Sequence, residues 1–166
     1  MSNKIDSALQ IGDLLYPKGL YLATAESCTG GLLGHRITEI PGSSAYYLGG
    51  FISYAYEAKK RWLGVKESTL ANHGAVSRET VLEMAAGART AFGTDFSPAS
   101  IIAVSISGIA GPAGGTPQKP VGTVWIAVSS AGREIAKRYY FKGDRSSIKS
   151  QSANQALENL IAFLKK

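Results

Sequence analysis

The stretch Tyr21-Leu-Ala-Thr-Ala-Glu-Ser-Cys-Thr-Gly-Gly31, running on into Leu32-Leu33-Gly34, constrains this chain more than any other. Its front half, Tyr21 to Ala25, is short and largely apolar and reads as a strand. Its back half turns through Ser27, Cys28 and Thr29 into two glycines, then into a helical pattern of Leu32, Leu33 and Ile37. A strand that breaks through small hydroxyl residues into a helix puts Ser27 and Thr29 at the helix N-terminus. Unpaired N–H groups and the positive dipole end favour a phosphate, a carboxylate or a developing oxyanion there. The competing reading of the same residues is a Ser/Thr cap with glycines for close packing.

Around this unit the elements alternate. Apolar positions Ile5, Ala8, Leu9, Ile11 and Leu15 predict a helix from about Lys4 to Lys18, closed by Pro17 and Gly19. The helix after Gly31 runs to about Glu39, Pro41 to Ser44 form a turn, and Ser44 to Tyr47 open a short helical turn. Gly49 to Tyr54 reads as a second strand whose glycines admit a neighbouring backbone. Helices are expected over Glu57–Leu63 and Lys66–Asn72. A third, capped by Ser77, carries Val81, Met84, Ala85, Ala88 and Phe92 at helical spacing. Ile101–Ser107 is apolar on both faces and belongs at a sheet centre. Val121–Ser129 and Ile135–Phe141 form a hairpin about Ala131-Gly132. The last helix starts at Arg145 and buries Ala153, Ala156, Leu157, Leu160, Ile161 and Leu164. The order predicts one domain over residues 1–166, of the α/β class: a mixed sheet covered on both faces, a three-layer α/β/α sandwich.

Bulk properties narrow the function. No apolar run reaches the roughly 20 residues of a membrane span. The N-terminus lacks a signal-peptide pattern, and a lone cysteine excludes an internal disulfide or a cysteine metal cluster, so a cytoplasmic location is expected. The net charge of +6 is scattered, without the dense basic patch or groove-reading motif of a nucleic-acid binder. It suits a small anionic substrate better.

In sheets of this kind ligands bind beyond the strand ends. Three loops there are unusual: Ala25–Gly31, Gly42–Ser44, and Gly108–Gly115, where Gly108, Gly111, Gly114 and Gly115 follow a buried strand. Such glycines let backbone N–H groups crowd an anion, although no Walker or dinucleotide fingerprint is present. His35 and His73 do not assemble into a serine triad without forcing. Cys28 is either a thiolate favoured by the helix N-terminus or a small buried filler. Lys59 is a base only if burial or the neighbouring charges of Lys60 and Arg61 lower its pKa. Otherwise it belongs to an ordinary basic helix face. Arg145, at a helix start, is a phosphate fork or a surface arginine paired with Asp144 or Glu134.

Six stretches together, TAESCTGG (24–31), PGSSAYYLGGFISY (41–54), EAKKRWLGV (57–65), HGAVS (73–77), SISGIAGPAGGTPQKPVGTVW (105–125) and FKGDR (141–145), resemble the C-terminal domain family of the competence/damage-inducible protein CinA. The resemblance covers nearly the whole chain. It implies an α/β/α amidohydrolase that converts nicotinamide mononucleotide to nicotinate mononucleotide and ammonia with a Ser/Lys pair, without metal or cofactor. It also implies a homo-oligomer whose partner is a small nucleotide, with no nucleic acid or membrane involved. The N-terminal pyrophosphatase-type domain of larger relatives is not expected here. Carried over, Lys59 is the base, Ser27 the first choice of nucleophile, Ser44 the second or a proton relay, and Tyr54 orients Lys59 or the ring. The phosphate is assigned to Thr29-Gly30-Gly31, to the Gly111–Gly115 loop with Gly114, or to Arg145. Ala55 and Tyr56 depart from the family's usual Ser-Asn, which puts substrate contacts there in question. The alternative function is a non-catalytic pyridine-nucleotide or ADP-ribose-binding module.

Overall fold

Alternating runs give the element order α1 (Ser7–Leu15), β1 (Tyr21–Glu26), α2 (Leu32–Thr38), β2 (Tyr47–Ile52), α3 (Tyr56–Leu63), α4 (Glu67–His73), α5 (Arg78–Phe92), β3 (Ile101–Gly108), β4 (Thr123–Ser129), β5 (Glu134–Tyr140) and α6 (Arg145–Leu164). This is a computed structural model that describes residues 7–166. Ile5 and the start of the first predicted helix lie outside the described residues. No described helix is long and apolar enough to cross a membrane.

The five strands form one sheet in the order β2-β1-β3-β4-β5, with β3 central as its two-faced apolar run requires. β2, β1 and β3 are parallel; β4 and β5 return antiparallel as the predicted hairpin. Side chains alternate between faces. Leu22, Ile102, Val104, Ile106, Ile126 and Val128 pack with α1, α2 and α6 through Ile11, Leu33, Ile148 and Leu160. The other face carries mostly small residues, Ala23, Ala25, Ala103 and Ala127, against Val81, Met84, Ala85 and Ala88 of α5 and Leu63 and Leu70 beside it. Each large apolar side chain so buried contributes roughly 1.5–3 kcal/mol. The three-layer α/β/α sandwich with a mixed sheet is therefore the fold.

Ser77 caps α5 as predicted, accepting from the Thr80 N–H at 3.2 Å. Gly50 faces Thr24 across β1 and β2, where a Cβ would meet Thr24 Oγ1 at 2.0 Å. The predicted second strand, Gly49–Tyr54, is shifted: β2 begins at Tyr47 and ends at Ile52. Tyr47 pairs with Leu22 and hydrogen-bonds Thr24 Oγ1. Beyond the strand, Ser53 N–H donates to the Glu26 carbonyl at 2.8 Å, and the chain turns at Tyr54 towards α3. The predicted strand from Val121 starts at Thr123, because Gly122 N–H is taken by the loop carbonyl of Ile109.

Candidate active site

The carboxyl ends of β1, β2 and β3 share one rim because these strands are parallel. Ser27 is the first residue past β1, held there by its N–H donating to the Ile106 carbonyl of β3 at 2.9 Å. Lys59 lies on the inner side of α3 and is fully buried. Its Nζ is 3.0 Å from Ser27 Oγ, 2.6 Å from the Ser53 carbonyl and 3.1 Å from the Tyr54 carbonyl. A neutral amine satisfies this cage by donating two N–H bonds to the carbonyls and accepting the Ser27 hydroxyl with its lone pair. Burial pushes the Lys59 pKa down to about 8. The neighbouring cations expected to assist do not: Lys60 pairs with Glu57 and Glu67, and Arg61 lies over Trp62.

One residue of the site was not singled out from the sequence. Glu26, the last of β1 and almost wholly buried, accepts from the N–H groups of Gly31 (3.1 Å), Leu33 (3.0 Å) and Gly34 (2.8 Å). Its carboxylate caps α2 from beneath. Of the phosphate, carboxylate or oxyanion expected at this helix terminus, the chain supplies a carboxylate of its own, which commits these three donors. The signal was legible: a carboxylate closing an apolar strand must find partners when buried. Cys28 is buried beside Ser27, and burial raises its thiol pKa to about 12, so it is a filler rather than a thiolate nucleophile.

A cavity of about 180 Å³ opens over the pair, lined by Ser27, Lys59, Tyr54, Ser107 and Arg145 among others. A second, of about 710 Å³, lies between the Thr29–Gly31 turn, α2 and the start of α6, and shares Arg145 with the first. Arg145 donates to the Gly111 carbonyl at 2.7 Å and to the Tyr54 hydroxyl at 3.0 Å, pairing with neither Asp144 nor Glu134. Tyr54 thus serves Lys59 through its main-chain carbonyl, while its side chain steadies Arg145. Gly111 offers Arg145 an acceptor, and neither Gly114 nor Gly115 lines either cavity. A Cβ on Gly115 would meet the Val121 nitrogen at 2.8 Å, so close packing accounts for that glycine.

Residues 4–164 match the CinA C-terminal domain. The chain belongs to the CinA C-terminal domain family. It is 50% identical over 152 residues to the nicotinamide-nucleotide amidohydrolase PncC of Escherichia coli, covering 91% of this chain and 88% of that protein. A CinA-like protein of Thermotoga maritima is also 50% identical, with 92% of this chain covering 36% of that longer protein. The crystal structure of a CinA superfamily protein from Klebsiella pneumoniae superposes with a TM-score of 0.88 at 37% identity, covering 96% of each chain. The competence/damage-inducible protein of Agrobacterium tumefaciens gives 0.87 at 42%, covering 96% of this chain and 94% of that one.

Two further positions drawn from the CinA resemblance have a definite place in this geometry. Ser44 is exposed in the 3₁₀ turn Ser43–Ala45, before β2, whereas Lys59 sits beyond the other end of that strand. The chain's own geometry therefore does not bring Ser44 to Lys59, as relay or as alternative nucleophile. At the Ala55-Tyr56 departure, the Tyr56 hydroxyl accepts from the Ala75 N–H at 3.3 Å, which ties α3 to a residue lining the cavity over Ser27 and Lys59.

Proposed function

We propose that this protein hydrolyses the carboxamide of nicotinamide mononucleotide to nicotinate mononucleotide and ammonia, with Ser27 as nucleophile and Lys59 as general base. The observation that carries the mechanism is the buried Lys59 amine at 3.0 Å from Ser27 Oγ, with no carboxylate pairing it among the described residues. The substrate comes from the similarity to the E. coli amidohydrolase.

Neutral Lys59 takes the Ser27 proton as Oγ attacks the carboxamide carbon. The carbonyl π pair moves onto oxygen, giving a tetrahedral oxyanion. Because Glu26 occupies the donors of Gly31, Leu33 and Gly34, the oxyanion falls to the amides next after Ser27, those of Cys28 and Thr29. Collapse breaks the C–N bond, and the Lys59 ammonium protonates the departing nitrogen to release ammonia. Water then gives a proton to Lys59 while its oxygen attacks the ester. The second tetrahedral state expels Ser27 Oγ, which recovers that proton, and the acid leaves. The Ser53 and Tyr54 carbonyls hold Nζ in place through both halves. Arg145 and the Thr29–Gly31 turn form the nucleotide end of the site. The proposal carries with it a cytoplasmic, homo-oligomeric enzyme that needs no cofactor.

Ammonia release from nicotinamide mononucleotide by wild type and Lys59→Ala tests this. Turnover by wild type with a loss of at least about a hundredfold in the variant is expected. Absence of turnover by folded wild type would move the reading to a binding module.

A further inference from the structure

The cavity over Ser27 and Lys59 has its polar lining already spent on the chain itself. Ser107 donates its hydroxyl proton to the Ala75 carbonyl at 2.7 Å, and the Ala75 N–H goes to the Tyr56 hydroxyl. Arg145 is held by the Gly111 carbonyl and the Tyr54 hydroxyl. Among the described residues, no Asp, Glu or His lines this cavity. Ser27 and Lys59 are thus its reactive pair, and the Lys59 lone pair is the base of the lining. Any nucleophile that relieves Ser27 of an acyl group must give its proton to that same amine.

Room sets the second condition. A six-membered ring fills a cavity of about 150 Å³. The space here is about 180 Å³, so a pyridine ring leaves beside Ser27 a volume near that of one water, about 30 Å³. Ala75, Gly108 and Ala110 on its walls offer such a molecule neither charge nor a hydrogen-bonding side chain. Departing ammonia and incoming water use this same space in turn. With no side chain devoted to holding water, entry is decided by size and by a transferable proton. A small neutral amine meets both requirements.

We propose that the protein is also an acyltransferase, passing the acyl group from Ser27 to small neutral amines such as hydroxylamine in competition with water. This rests on the amidohydrolase reading and extends it to a second class of acceptor. The amine nitrogen attacks the ester carbon while its N–H proton passes to Lys59. The C–O bond to Ser27 then breaks, and Oγ recovers the proton from the Lys59 ammonium. The product is the hydroxamate of nicotinate mononucleotide in place of the acid, with no oxidant or reductant consumed.

The test incubates wild type with nicotinamide mononucleotide and hydroxylamine and measures ammonia, acid and hydroxamate together, with enzyme-free mixtures subtracted. The hydroxamate-to-acid ratio should double with each doubling of hydroxylamine. Benzylamine, too large for the remaining space, should give no amide, and Ser27→Ala should form neither acid nor hydroxamate. Ammonia release with acid as the sole product at every hydroxylamine concentration overturns the proposal. So does any benzylamide from wild type, or hydroxamate formed by Ser27→Ala. If wild type releases no ammonia, the amidohydrolase reading itself fails and takes the proposal with it.

Discussion

The proposed chemistry turns on Lys59, and its environment makes a definite statement about pH. Burial lowers its pKa to about 8, so the amine is mostly protonated at neutral pH and free above it. Below pH 8, kcat/KM is expected to rise about tenfold per pH unit and then level off, which a pH–rate profile measures. The same shift acts on stability in a direction fixed by linkage. The folded-state pKa lies below the ordinary lysine value of about 10.4, so between about pH 8 and 10.4 the unfolded chain binds more protons. Stability contributed by this group therefore rises with pH across that window, and its burial penalty is full below it. Denaturation of wild type and Lys59→Met should show the variant's relative stability falling by on the order of 2–3 kcal/mol from pH 8 to 10.5. The sequence did not reveal this behaviour by its pattern. Lys59-Lys60-Arg61 looks like a solvated basic face, and only the packing of α3 against the sheet rim separates the buried Lys59 amine from half-buried Lys60 and exposed Arg61.

At the scale of the element, the strand-turn-helix unit around β1 and α2 is stabilised by Glu26 at its hinge. Its carboxylate holds the first N–H groups of α2, its carbonyl holds Ser53, and Ser53 in turn accepts from Lys59. The turn that carries Ser27 and the cage around Lys59 thus hang from one residue. Glu26→Gln replaces an acceptor oxygen with a donor facing N–H groups and removes the charge. It should cost about 1–3 kcal/mol in chemical denaturation. The local signals in this region were partly readable. The strand, the turn through Ser27 and the helix from Leu32 all stand where expected. The cap does not fit a Ser/Thr pattern because it comes from the strand behind rather than from the N-cap position, which Gly31 occupies. The shift of β2 has a similar origin, since pairing with β1 fixes its register rather than the apolar run beginning at Gly49.

For the whole molecule, parallel pairing of β2, β1 and β3 decides which motifs meet. Loops that follow these strands gather Ser27, Lys59, Tyr54 and the Gly108–Ala110 segment at one rim. The loop before β2 carries Ser44 to the other. Chain order alone could not make this separation, because Ser44 stands as near to Lys59 in sequence as many residues of the site. Arg145 reaches the same rim only because α6 begins there after the β4–β5 hairpin, a long-range consequence of the fold. The layer architecture and the central place of β3, by contrast, followed directly from alternation and from the apolar run at Ile101–Ser107. The most direct test of the Ser27/Lys59 pair is ammonia release from nicotinamide mononucleotide by Ser27→Ala, Ser44→Ala and Cys28→Ala, assayed side by side near pH 8. Ser27→Ala should lose at least about a hundredfold while the other two stay within about twofold of wild type. Turnover retained in Ser27→Ala, or abolished in Ser44→Ala or Cys28→Ala, would contradict the assignment.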